Sequence, residues 1–260
     1  MPELNALIFD VDGTLADTER DGHRVAFNSA FNQFGFNWYW DEPTYGELLA
    51  VTGGKERMRH YYDHYGVARD IAEDFKQRLD ELIPQLHQAK THYYTRLLSL
   101  GEIPLRTGVE RLLNEARERG LRLAIATTTT PQNVTALLEH TLGRESIDWF
   151  EVIAAGDIVP AKKPAPDIYH YALEKMQISP QECLAFEDSG NGIRSSVDAG
   201  LTTVVTVNDY TREHDFADAA IVLDHMGEPD RPFRVIAGNA EGHQYLDCEL
   251  LQKLHRQAQS

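Results

Sequence analysis

From Pro104 onward the chain alternates short apolar runs with segments of helical spacing, and this alternation constrains the fold more than any other feature. Leu121–Ala126, Phe150–Ala154, Leu184–Phe186 and Thr203–Val207 read as buried strands. Gly108–Arg119 precedes the first, and Val134–Leu142, Asp167–Met176 and Gly192–Ala199 separate the rest as helices. Apolar strands alternating with helices form a mostly parallel sheet covered on both faces. The expected class is therefore α/β with a doubly wound, Rossmann-like core.

A further strand-like run, Leu7-Ile8-Phe9, stands apart from the others. Between about Asp17 and Gly101 the texture is helical. Ala26, Phe27, Ala30, Phe31 and Phe34 recur at helical spacing and Gly35 stops them, and Glu42–Leu49, Lys55–Tyr65 and Ile71–Leu100 follow. Pro84 should kink or divide the last of these. The expected organisation is a core of residues 1–16 and 103–260 with an inserted α-helical cap, residues 17–102. From about Gly227 the chain is polar and promises one weak helix, Asp247–Gln257.

Leu7-Ile8-Phe9 runs into Asp10-Val11-Asp12-Gly13-Thr14. On an extended strand the period of two puts both carboxylates on one side. Without a cation they would repel each other. Mg²⁺ suits hard oxygen donors and completes its shell with water and phosphate. A glycine turn lets backbone N–H groups approach an anion closely. The chemistry suggested is phosphoryl transfer, one aspartate as nucleophile and the other as acid/base.

In a doubly wound sheet, ligands sit beyond the carboxyl ends of the strands. Each remaining strand ends in something polar: Thr127-Thr128-Thr129-Thr130, Lys162-Lys163-Pro164, and Glu187-Asp188-Ser189. Hydroxyls and amides there can hold phosphate oxygens, one lysine can neutralise the carboxylates, and the acidic pair can complete a metal site. Gly190-x-Gly192 hints at a dinucleotide fold, but Ser195 takes the third fingerprint position and the loop opens on carboxylates that would repel a pyrophosphate.

The net charge of −16 with no basic stripe excludes a nucleic-acid surface and requires a local cationic patch for any anionic substrate. Cys183 and Cys248 make neither a metal spacing nor a disulfide framework. No stretch approaches a membrane span, and the N-terminus lacks a basic leader. A soluble, cytoplasmic monomer is expected.

Taken in order, these four strand-end signals resemble the haloacid dehalogenase superfamily, over residues 4–225. The resemblance implies that Asp10 is phosphorylated in line, that Asp12 is the acid/base, and that Thr127 and Lys163 bind phosphate. It further implies Mg²⁺ held by Asp10, Asp12 and Asp188, with Glu187 beside them. Retention of Asp12 favours phosphoryl transfer over dehalogenation.

Within the cap, Thr18-Glu19, His23, Ala26-Phe27-Asn28, Trp38-Tyr39-Trp40-Asp41, Leu48-Leu49 and Thr52-Gly53-Gly54-Lys55-Glu56-Arg57 resemble CbbY-like xylulose-1,5-bisphosphate phosphatases. Such enzymes dephosphorylate a ketopentose bisphosphate that inhibits Rubisco, an accessory task of the Calvin cycle. The match implies that Glu19 and His23 contact the sugar. It also implies that Thr52, Gly53, Gly54, Lys55 and Arg57 hold the second phosphate, with Thr128 also at the substrate. Val51 departs from the hydroxyl residue common among relatives. A β-phosphoglucomutase-type mutase or a phosphoglycolate phosphatase would use the same Asp pair, and a non-catalytic module would have lost one of these positions. Trp38 and Trp40 read as cap core.

Overall fold

The computed structural model describes residues 2–66 and 73–259. They form two compact units, Met1–Asp17 with Pro104–Ser260, and Thr18–Ile103. β1 (Ala6–Phe9) opens the larger unit; the smaller one holds α1 (Arg24–Gln33), α2 (Glu42–Leu48), α3 (Gly54–His64) and α4 (Glu73–Ser99). The larger unit resumes with α5 (Val109–Glu118), β2 (Arg122–Thr127), α6 (Pro131–Leu142), β3 (Phe150–Ala155) and α7 (Asp167–Met176). It ends with β4 (Cys183–Glu187), α8 (Gly190–Asp198), β5 (Thr202–Thr206), β6 (Ile221–Leu223), β7 (Val235–Gly238) and α9 (Cys248–Ala258).

The seven strands lie in the order β3-β2-β1-β4-β5-β6-β7, all parallel except the β6–β7 pair. Every residue of β1 and β4 is buried, as a strand covered on both faces requires. Ile168, Tyr169, Ala172, Leu173 and Met176 of α7 pack on Ile8, Ala124 and Ala185. Helix starts follow side-chain caps: Thr130 accepts from Asn133 N, Ser189 from Gly192 N and Asp247 from Leu250 N. The Thr130 cap starts α6 three residues before the apolar periodicity begins.

One expectation is corrected and another narrowed. The segment after Gly227 is not a polar appendage, because β7 extends the sheet and Phe233, Leu246, Cys248, Leu250, Leu251 and Leu254 are buried. α9 packs against α5 and β4. Its apolar stripe is narrow, so the segment averages polar while one face belongs to the core. Leu251→Ala should cost about 2–5 kcal/mol in urea unfolding; an unchanged midpoint would return the segment to the surface.

α4 also runs through Pro84 without dividing. Losing one backbone bond there costs about 3 kcal/mol, which burial of Leu79, Ile83 and Leu86 offsets. The expected start of this helix at Ile71 lies outside the described residues.

The smaller unit has an aromatic core in which Trp40 packs within 4.7–5.9 Å of Phe27, Phe31, Tyr45 and Tyr61, and Trp38 is buried beside Phe31. The Asn28 amide bonds both Trp40 N (2.8 Å) and Trp40 O (2.9 Å), clamping the segment before α2 to α1. Among the described residues no helix is long and apolar enough to cross a membrane.

Candidate active site

Sheet register assembles the site. Phe9 lies opposite both Ile125 and Phe186, so the residues that follow, Asp10, Ala126 and Glu187, emerge level at the carboxyl edge. The strand stops at Phe9 and the chain turns, with Leu15 N donating to Val11 O (2.9 Å) and Gly13 N to Ala16 O (2.8 Å). Gly13 has φ +85°, and a Cβ there would overlap the Asp188 carboxylate and the Asn208 amide. Only glycine fits both the turn and the crowding.

Lys163, carried by the segment before α7, is buried. Its ammonium donates to Asp10 Oδ1 (2.7 Å), Glu187 Oε1 (2.6 Å) and Ala126 O (2.9 Å). Lys162 points elsewhere and pairs with Asp157 (3.0 Å). Tyr169 donates to the same Glu187 oxygen (2.5 Å). Burial, with Glu187 and Asp10 close by, raises the phenol well above its ordinary value and keeps it a neutral donor.

Burial pushes the Asp10 carboxyl up; Lys163 opposes the rise, Glu187 and Asp12 add to it, and the result is about 8. Burial alone would lower the Lys163 ammonium, but Asp10 and Glu187 outweigh it and hold it above its ordinary value. The electrostatics therefore leave room for more positive charge. Asp10, Glu187 and Asp188 offer oxygens within 4.8 Å of one another, and the buried Glu187 Oε2 has no hydrogen-bond partner. This hard-oxygen set fits a divalent cation. Asp12 is half-buried and its carboxylate is outside that set.

Thr127 ends β2, buried, and its hydroxyl accepts from Thr129 N (3.3 Å). Asn133 in the first turn of α6 donates to Thr129 Oγ1 (2.9 Å), so the threonine run is braced from within. Thr128 is less buried than its neighbours Thr127 and Thr129.

Residues expected at the sugar lie in the smaller unit. Tyr45 donates to Glu19 Oε2 and accepts from Arg57 Nη1 (2.9 Å), while Arg57 Nε reaches Leu48 O (3.2 Å). Arg57 is thus buried and engaged in tying α2 to the turn before α3 and orienting Glu19. Lys55 stands two positions away on α3, about 200° around the helix, and lines a cavity of ≈ 550 Å³ with Arg59 and His60. The structure does not bring Lys55 and Arg57 together on one face. Gly53 (φ +98°) opens α3, and Gly54 has no room for a Cβ beside His87 Nε2 and the Phe27 ring. Thr52 in the same turn is half-buried.

His23 is buried, with Lys90 Nζ 2.8 Å from its Nδ1 and the Tyr94 ring 4.1 Å away. An ammonium has only donors, so Nδ1 accepts. Lys90 was not singled out in the sequence, where it reads as one more polar position of a long helix. Tyr169 likewise carried no signal. Asn208, which donates to Asp188 Oδ2 (2.6 Å), follows an apolar strand run as the other site residues do, and that position could have found it.

Residues 4–200 match the haloacid dehalogenase-like hydrolase family. The plasmid CbbY protein of Cupriavidus necator is 44% identical over 253 residues, 97% of either chain. CbbY of Rhodobacter capsulatus is 49% identical over 217 residues, covering 84% of this chain and 91% of that one. A crystal structure of the D10N mutant of CbbY from Rhodobacter sphaeroides, in complex with xylulose-(1,5)bisphosphate, superposes with a TM-score of 0.79 at 44% identity, covering 85% and 94% of the two chains. With Asp10, Lys163 and Asp188 gathered at the carboxyl edge of a doubly wound sheet, the chain belongs to the haloacid dehalogenase-like hydrolases, among the CbbY proteins, and is a phosphatase.

Proposed function

We propose that the chain hydrolyses a sugar bisphosphate, xylulose-1,5-bisphosphate, to xylulose 5-phosphate and inorganic phosphate with Mg²⁺ as cofactor. The observation that carries this reading is the buried Asp10–Lys163 pair, in a chain 44% identical to the CbbY whose D10N mutant holds that bisphosphate. Asp10 attacks the phosphorus and forms an aspartyl-phosphate while Asp12 protonates the departing sugar oxygen. Water then attacks the phosphorus, giving its proton to Asp12, and Asp10 is released with phosphate. Lys163 and the Thr127–Thr128 strand end stabilise the charge on the transferring group. Mg²⁺, which Asp10, Asp12 and Asp188 would hold with Glu187 beside them, supplies charge neutralisation when bound.

In this reading Glu19 accepts from a sugar hydroxyl, His23 donates to one from Nε2, and the Thr52–Lys55 turn holds the retained phosphate, with Arg57 keeping Glu19 in place. Losing one charge-assisted contact costs ~1.5–3 kcal/mol, so Lys55→Ala should lower kcat/KM for the bisphosphate ~10- to 100-fold. Turnover of pentose monophosphates should stay as it was. If every bisphosphate is also turned over normally, Lys55 has no part in binding. The reading as a whole is tested by phosphate release across mono- and bisphosphorylated pentoses, with Asp10→Asn as blank. Interconversion of hexose phosphates without phosphate release would replace it with a mutase.

A further inference from the structure

Arg106 belongs to no motif, yet its side chain is only 7% exposed and its donors all find acceptors. Nε faces Asp17 Oδ1 (3.2 Å). Nη1 donates to Gly13 O, Thr206 O (3.0 Å) and Thr206 Oγ1 (3.2 Å). Nη2 donates to Val207 O (2.6 Å) and Asp224 O (2.8 Å), and the backbone N–H of Arg106 goes to Leu15 O (2.9 Å). These carbonyls sit at or just past the ends of β1, β5 and β6, where the sheet ladder runs out. One planar fork therefore joins the turn after Asp12 to the exit of β5.

The next residue along that exit is Asn208. Its amide nitrogen donates to Asp188 Oδ2 (2.6 Å), and its own position is held by Tyr210 N on Oδ1 (2.9 Å) and by its N–H on Thr211 Oγ1 (3.0 Å). Gly13, in turn, leaves no room for a Cβ against both Asp188 and Asn208. The contacts close a ring: Gly13, Arg106, Val207, Asn208, Asp188.

We propose that Arg106 is a positioning residue for the phosphatase reaction. It sets the separation between the Asp10–Asp12 turn and Asp188, with Asn208 passing the constraint to the Asp188 carboxylate. The inference rests on the proposed roles of Asp10 as nucleophile and Asp188 as cation ligand. Lysine at 106 would keep the charge but lose the fork, reaching one or two of these carbonyls and leaving the others buried without donors.

The test compares Arg106→Lys and Asn208→Ala with the wild-type full chain. It measures thermal midpoint, calorimetric binding of Mg²⁺ alone, and kcat and KM for the substrate. Mg²⁺ binding should weaken about tenfold in both variants, the usual effect of losing a residue that orients a ligand. Arg106→Lys should also lower kcat at saturating Mg²⁺ by about 10- to 100-fold, with KM within about twofold. A purely structural arginine would lower the midpoint and leave Mg²⁺ affinity alone. A folded Arg106→Lys with wild-type Mg²⁺ affinity and kcat overturns the proposal. If that variant does not fold, unchanged Mg²⁺ affinity in Asn208→Ala overturns it instead. Continued phosphate release by Asp10→Asn would defeat the reading of the site itself, whatever Arg106 does. An inactive Asp10→Asn beside an unaltered Arg106→Lys defeats only the role of Arg106.

Discussion

Asp10→Asn is expected to abolish phosphate release and the phosphoenzyme, by a factor on the order of 10⁴ or more, since an amide cannot form the acyl phosphate. The same variant has a second readout. Burial, with Lys163 opposing and Glu187 adding, pushes the Asp10 carboxyl up to about 8. A carboxyl raised in the fold stabilises it fully below its ordinary 3.8, and that contribution is lost as pH rises toward about 8, where the buried group must ionise. A cation binds the ionised form and so displaces a proton. The gain in Tm on adding Mg²⁺ should therefore grow from about pH 6 to about pH 8.5 in the wild type. In Asp10→Asn it should be flat across that range. A rising Mg²⁺ effect that survives the substitution would assign the titration to another group.

Lys163→Met should have the second largest effect, because the side chain neutralises two buried carboxylates at once. Removing one preorganised donor from a transferring group costs about 10²–10³-fold in kcat. Breaking a buried pair while leaving its partners charged costs about 3–5 kcal/mol of stability. Asp10 can relieve that strain only by taking up a proton. The stability deficit in urea unfolding should accordingly be larger at pH 8 than at pH 5. An equal deficit at both would mean that lost packing, not lost charge, carries the effect. Lys162→Met should leave kcat within about twofold, because its ammonium is engaged with Asp157 and not with Asp10 or Glu187.

Much of the larger unit was legible from residue order. Apolar strands covered on both faces leave a signal that survives any arrangement of the helices, and four of the five expected strands were followed by a polar group that marked the site. In the tail after Gly227 the helix at Asp247–Gln257 was legible, but its buried face and β7 were not, since α9 buries a narrow stripe in a polar segment and β7 is exposed throughout. Pro84 does not divide α4 because the packing that holds the helix together lies outside local helix rules. In the cap, the charges of Lys55 and Arg57 were visible but not their directions. Arg57 turned out to face inward, toward Tyr45 and Glu19.

The residues after Phe9 show where sequence stops and tertiary structure begins. The succession Asp10-x-Asp12-Gly13 by itself determined that paired carboxylates follow a buried strand, and the later Thr127, Lys163 and Asp188 determined that each neighbouring strand would end in a complementary group. Which groups touch was decided by sheet register: Phe9 pairs with Ile125 and Phe186, and that alignment alone sets Glu187 beside Asp10 and lets one ammonium serve both. Arg106 and Asn208 entered the site only in three dimensions. Arg106 reaches Asp224 across 118 positions and Asn208 reaches Asp188 across 20, and no local pattern encodes a partner that far away.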